Sequence, residues 1–208
     1  MRFTLALVAL VAVRSAHAET RPGYYTSAGI SGGWIAGTVT ATGGSADPAD
    51  HTTTSVGDGC IVPRLALGLA LSSETTRGHI GAGIDFYQRL GGDGHAIAVG
   101  LQAGIGTHVH RGLWISGRGS ASFAAGKYPI IDQSKLFTLG VRAHFEMFET
   151  GVDVVLIRDN GYERVDGYGL LASLGVSGVP RHPILATAGI ALGSLIMLGT
   201  AASRIQSH

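Results

Sequence analysis

Three side chains of this sequence have the types that acyl transfer requires. Ser116, His144 and Glu146 supply a hydroxyl, an imidazole and a carboxylate, the roles of nucleophile, general base and orienting anion. A hairpin closing over residues 126–135 brings Ser116 close to His144. A second constellation is His79, His108 and His110, because three imidazoles can hold a catalytic zinc. No carboxylate second shell is evident for them, and His108 and His110 better suit an interfacial place beside Trp114. A third set is ionic: Arg64, Arg89, Arg118 and Arg142 against Asp85 and Glu146, with Asp153 as a further member. Guanidinium forks grip carboxylates bidentately and stay charged, so this set reads as a paired network more readily than as an ion-selective lining. The glycines of 117–127 have neither the spacing of a phosphate-binding loop nor that of a dinucleotide fingerprint. No cofactor is implied.

Whether these residues can meet depends on the elements that carry them, and the period of the sequence is two, that of a strand. One face runs Ile61, Pro63, Leu65, Leu67, Leu69, Leu71, then Ile80, Ala82, Ile84, Phe86, and continues through Ile97, Val99, Leu101 and Leu113, Ile115 to Phe137, Leu139, Val141. It carries no charge. The alternate face is Gly, Ala and Ser with the charges among them, as in Arg64, Ala66, Gly68 or Ser116, Arg118, Ser120.

A soluble barrel turns its apolar face inward and covers its outside with charge. Gly, Ala and Ser make a poor aqueous exterior, whereas a membrane barrel turns the apolar face to lipid and packs small residues and paired charges inside. Composition agrees. Of 208 residues 33 are Gly and only 14% are charged, and a net charge of +1 without a Lys/Arg run excludes a nucleic-acid partner. The sequence therefore predicts an all-β fold, an antiparallel up-and-down transmembrane β-barrel of about eight strands, with eight to ten as the range.

Strands are expected near 24–41, 60–72, 79–90, 95–109, 113–125, 136–148, 152–158 and 165–178. The gaps at 42–59, 91–94, 126–135 and 159–164 fall on one side and those at 73–78, 110–112 and 149–151 on the other. Outer-membrane barrels have short periplasmic turns and longer outer loops, which assigns the first set to the cell exterior.

Residues 1–18 have a positive start, an apolar run from Phe3 to Val13 and Ala16-His17-Ala18 before Glu19, the pattern of a cleavable export signal. The barrel is expected over 19–178, and residues 179–208 form an apolar segment, read as further strand or helix, with a polar tail. Cys60 reads as a small apolar strand residue.

With this signal and alternation, the chain resembles the small outer-membrane β-barrel family of Gram-negative bacteria. It departs from the family in finishing Arg204-Ile205-Gln206-Ser207-His208 without a terminal aromatic, and in having only 7% aromatic residues. The resemblance implies an outer-membrane location, membrane lipids as partners, and a protein partner reached through loops 42–59 and 126–135. Eight strands enclose a space just wide enough for side chains, so the expected role is structural or interactive, with an occluded lumen. A narrow porin-like solute channel, a lipid-acting hydrolase (the family includes lipid-modifying enzymes) and a soluble periplasmic lipid binder are the alternatives.

Overall fold

The computed structural model describes residues 20–42, 51–128, 130–158 and 164–178. The expected signal at 1–18 and the segment 179–208 lie outside them. Eight strands follow one another: β1 (Arg21–Thr42), β2 (His51–Ser72), β3 (Thr76–Arg89), β4 (His95–His110), β5 (Leu113–Gly126), β6 (Lys135–Phe145), β7 (Phe148–Arg158) and β8 (Arg164–Gly178). Each pairs antiparallel with its sequence neighbour, and β1 pairs with β8 from Thr26↔Gly178 to Thr40↔Arg164, so the sheet closes on itself. The chain is an up-and-down eight-stranded barrel, with no helix among the described residues. The connections after β1, β3, β5 and β7 lie at one end, the loop end. Those after β2, β4 and β6 lie at the other, the turn end.

The period-two alternation fixes what faces where. Leu67, Leu69, Leu101, Leu139, Val141, Leu170 and Leu174 all point outward and are exposed. The opposite parity holds Arg64, Gln102, Ser116, Arg142 and Asp153, buried within the barrel. Glycine supplies the room these large groups need, because eight strands enclose a space just wide enough for side chains. Arg142 sits opposite Gly151, and Arg118 is flanked by Gly104 and Gly140. A Cβ on Gly151 would stand 2.7 Å from Arg142 Cδ, well inside van der Waals contact.

At the loop end the interior is apolar. Ile35, Cys60, Val62, Tyr87, Ala98, Leu136, Val155, Ile157 and Leu171 form one buried cluster, completed by Tyr128, Ile130 and Ile131 from the β5–β6 connection. That connection folds inward as a compact turn, with Tyr128 O accepting from Ile131 N at 2.9 Å and Asp132 N at 2.8 Å. Asp132 Oδ1 accepts from Gly126 N at 3.0 Å, which ties the turn to the end of β5. Ile130 reaches across the mouth to β1 and β8, where a Cβ on Gly37 or Gly167 would come within 3.1 Å of its Cγ2. The loop is a plug. Burial raises the Tyr128 phenol above its ordinary range, so the plug carries no charge there at neutral pH.

Two boundaries depart from the sequence expectation in ways that bear on the site or the rim. β2 starts at His51 where 60 was expected, because Thr53, Thr54, Ser55 and Val56 continue the hairpin against β1 well above the rest of the rim. The second difference moves a candidate residue. β6 ends at Phe145 and β7 begins at Phe148, which pair with each other across a tight turn of Glu146 and Met147. Glu146 has φ 55° and is exposed, so it belongs to the turn and not to the luminal face where the spacing had put it. The physical reason is that Phe145, Met147 and Phe148 are all apolar, so periodicity alone cannot locate the reversal between them.

Candidate functional site

Below the apolar plug lies an ionic layer. Asp153 is fully buried, and its Oδ2 accepts from Arg64 Nη1 and Arg142 Nη2, with Arg118 Nη2 at 3.5 Å. Arg64 Nε also reaches Asp85 at 3.6 Å, and Arg142 Nε meets Glu149 Oε1 at 3.1 Å. Three guanidiniums thus face three carboxylates, 3 − 3 = 0, and the layer is neutral. Neutrality is what a low-dielectric interior demands, since a buried charge without a partner costs several kcal/mol. The expected residues Arg64, Asp85, Arg118 and Arg142 are here. Arg89 is not. It lies higher on β3 and pairs with Asp58 of β2, Nε to Oδ2 at 2.9 Å.

Toward the turn end the interior becomes a small polar recess. The β5–β6 register sets Ser116 opposite Arg142 and Trp114 opposite His144, leaving Ser116 and His144 diagonal neighbours on the luminal face. Ser116 Oγ lies 2.6 Å from His144 Nε2. On the other side of the ring, Nδ1 is 3.0 Å from Ser177 Oγ and 3.6 Å from Glu149 Oε2. Glu149 therefore occupies the carboxylate position that the spacing had given to Glu146. Both are glutamates near the same reversal, and only the position of the turn decides which one points inward.

Ser116, His144 and Ser177 line a cavity of about 50 Å³ together with Tyr25, Arg77, His79 and Trp114, with Glu146 at its edge. It has room for a few water molecules. His79 stacks on the Tyr25 ring with centroids 3.8 Å apart. The stack exists because the residue opposite His79 is Gly104, where a Cβ would fall 2.9 Å from His79 Nε2. Arg77 lies over the Trp114 ring at 3.9 Å, and His108 leans on the same indole with ring centroids 5.1 Å apart. His110 is exposed at the end of β4, beyond an irregularity in the ladder. His79, His108 and His110 do not converge, and among the described residues no group of His, Cys, Asp and Glu has the geometry to hold a metal ion.

Three features of the interior escape sequence reasoning. Glu149 is hidden by the uncertain reversal, and Ser177 lies on β8, whose neighbours in the ring cannot be known without the register. The plug had a visible signal, the apolar pair Ile130-Ile131 inside an otherwise polar connection.

Fold and interior together define a class: a small closed antiparallel barrel with an apolar exterior, a neutral ionic interior and a plugged mouth. Among solved structures, the chain is similar to Neisserial surface protein A (NspA), with 14% identity and a TM-score of 0.45, covering 76% of this chain and 98% of that one. No protein-family model matches the sequence, and no curated protein matches it.

Proposed function

We propose that this chain is an integral outer-membrane barrel with a closed lumen and a structural or interaction role, exported through the signal read over residues 1–18. Membrane lipids are its immediate partners. The observation that carries this reading is the exterior, where large apolar side chains ring the barrel and aromatic ones flank them. Tyr24, Phe145 and Phe148 lie toward the turn end, and Trp34, Tyr168, Phe123 and Phe137 toward the loop end, all exposed. From Tyr24 to Trp34 on β1 the chain runs ten residues. At about 3.3 Å per residue and a tilt of about 40°, that is roughly 25 Å along the barrel axis, the height of an outer-membrane apolar band. A water-soluble monomer rarely exposes a continuous apolar belt of this size.

The interior argues against two of the alternatives. A soluble lipid binder needs an apolar cavity, and this interior has an ionic layer across its middle. A solute channel needs an open path, and here Tyr128, Ile130 and Ile131 fill one mouth above the paired arginines. A protein partner meets chiefly the tall β1–β2 hairpin, because the apolar side chains of the β5–β6 loop are turned inward.

Electrophoretic mobility of the detergent-extracted protein, unboiled against boiled, tests the closed barrel. Conductance across a planar bilayer tests the lumen. The expected result is a heat-dependent shift with an electrically silent bilayer. Recovery of the protein in the aqueous periplasmic fraction without a shift would sink the membrane reading, and discrete conductance steps would sink the closed lumen.

A further inference from the structure

The geometry points to a serine-esterase site inside the turn end of the barrel, with Ser116 as nucleophile, His144 as base and Glu149 as the anion that orients it, acting on short-chain acyl esters. Four observations converge on it. The Ser116 Oγ to His144 Nε2 distance of 2.6 Å is that of a nucleophile already hydrogen-bonded to its base. Glu149 is buried and lies 3.6 Å from the opposite ring nitrogen, where a carboxylate favours the Nδ1–H tautomer and leaves the Nε2 lone pair facing Ser116. The pair opens on a cavity instead of being packed over. A cation stands on the wall of that cavity. Arg77, Gly106 and Ser116 are lateral neighbours on three successive strands, and the guanidinium lies over the ring of Trp114, which lines the same cavity as Ser116. A carbonyl group held at Ser116 would develop its negative charge in the same cavity as that cation.

The size of the recess sets the substrate class. About 50 Å³ has room for an acyl group of a few heavy atoms, such as an acetyl ester carries. The chemistry needs no reagent besides water. As Oγ bonds to the ester carbon, its proton passes to His144 Nε2, and the tetrahedral adduct then breaks its bond to the alkoxide, which leaves with that proton. Water attacks the acyl-serine, giving one proton to Nε2, and the carboxylic acid departs as Ser116 Oγ takes the proton back.

Two serines flank one imidazole, which makes the proposal sharp. Ser177 Oγ is 3.0 Å from Nδ1, the nitrogen that carries the proton in the productive tautomer, so Ser177 accepts a hydrogen bond and is not activated. The test uses the full-length protein folded in detergent micelles, with the heat-dependent gel shift as the measure of folding. A small alkyl fluorophosphonate is the covalent probe and p-nitrophenyl acetate the substrate. The expected result is a phosphonyl adduct on the peptide holding Ser116, formed by the folded and not by the boiled protein. Ser116→Ala abolishes labelling, Ser177→Ala retains it, and His144→Gln slows it by roughly 100-fold or more with the gel shift unchanged. Absence of an adduct on protein that shows the shift would overturn the site and leave the closed barrel standing. Labelling at Ser177, or equal labelling of boiled protein, would overturn it as well.

Discussion

Removing the charge of Asp153 unbalances the barrel from within. Asp153→Asn leaves Arg64, Arg118 and Arg142 facing only Asp85 and Glu149, an excess of one positive charge in a water-poor interior. Deleting one partner of a buried ion pair costs about 3–5 kcal/mol, mostly from the charge left behind. Two guanidiniums donate directly to Asp153, so the upper half of that range applies. With a urea slope of about 2 kcal/mol per M, a loss of about 4 kcal/mol moves the unfolding midpoint down by about 2 M. The assay is equilibrium unfolding in lipid vesicles, followed by tryptophan fluorescence and by the gel shift. A second substitution makes the reasoning refutable. Arg118 is the loosest of the three, at 3.5 Å, so Asp153→Asn with Arg118→Met restores neutrality. The double variant should be at least about 1 kcal/mol more stable than Asp153→Asn alone, a coupling that double-mutant cycles resolve. If Asp153→Asn unfolds within about 0.5 kcal/mol of the parent, or if the second change only adds to the loss, charge balance is not what holds the interior.

Three further outcomes follow from the same geometry. Leu101 is 67% exposed at mid-barrel, so Leu101→Arg should cost about 2–4 kcal/mol in vesicles if lipid surrounds it; a neutral effect would mean that this face meets water. Glu146 carries φ 55° in the β6–β7 reversal, and Glu146→Gly should raise stability by about 1 kcal/mol by removing that strain, read as a higher urea midpoint. Ile131 is fully buried in the plug, and Ile131→Ala should lower stability by about 2–4 kcal/mol, whereas a freely mobile loop would tolerate the change without a measurable shift.

What the sequence made legible was whatever depends on a period of two. Leu67, Leu69 and Leu71 declare an outward face by themselves, and so do the eight segments, because alternation is a local property. Register is not local. That Arg142 stands opposite Gly151, or that β8 brings Ser177 to His144, depends on how separate strands align, and no single segment holds that information. The reversal at Glu146 was hidden for a different reason, since three apolar residues straddle it and satisfy either parity. The Thr-rich start of β2 read as loop because it lacks the large apolar residues that mark the outward band. It is strand all the same, held by the ladder to β1.

Closure has a kinetic consequence. Seven of the eight seams join neighbours in sequence and can form as hairpins, whereas the eighth joins β1 to β8, with Thr26 meeting Gly178 at the far end of the described chain. At this seam Gly29 faces Gly175, and a Cβ on Gly175 would lie 3.0 Å from Gly29 Cα, so the backbones close nearly in contact. Contacts this distant form late, because the loop entropy must be spent before the pairing returns anything. Until then the sheet has two raw edges, each a row of unpaired N–H and C=O groups. A chain interrupted before β8 is therefore not a weaker barrel but an unfinished one, open to pairing with any other edge it meets.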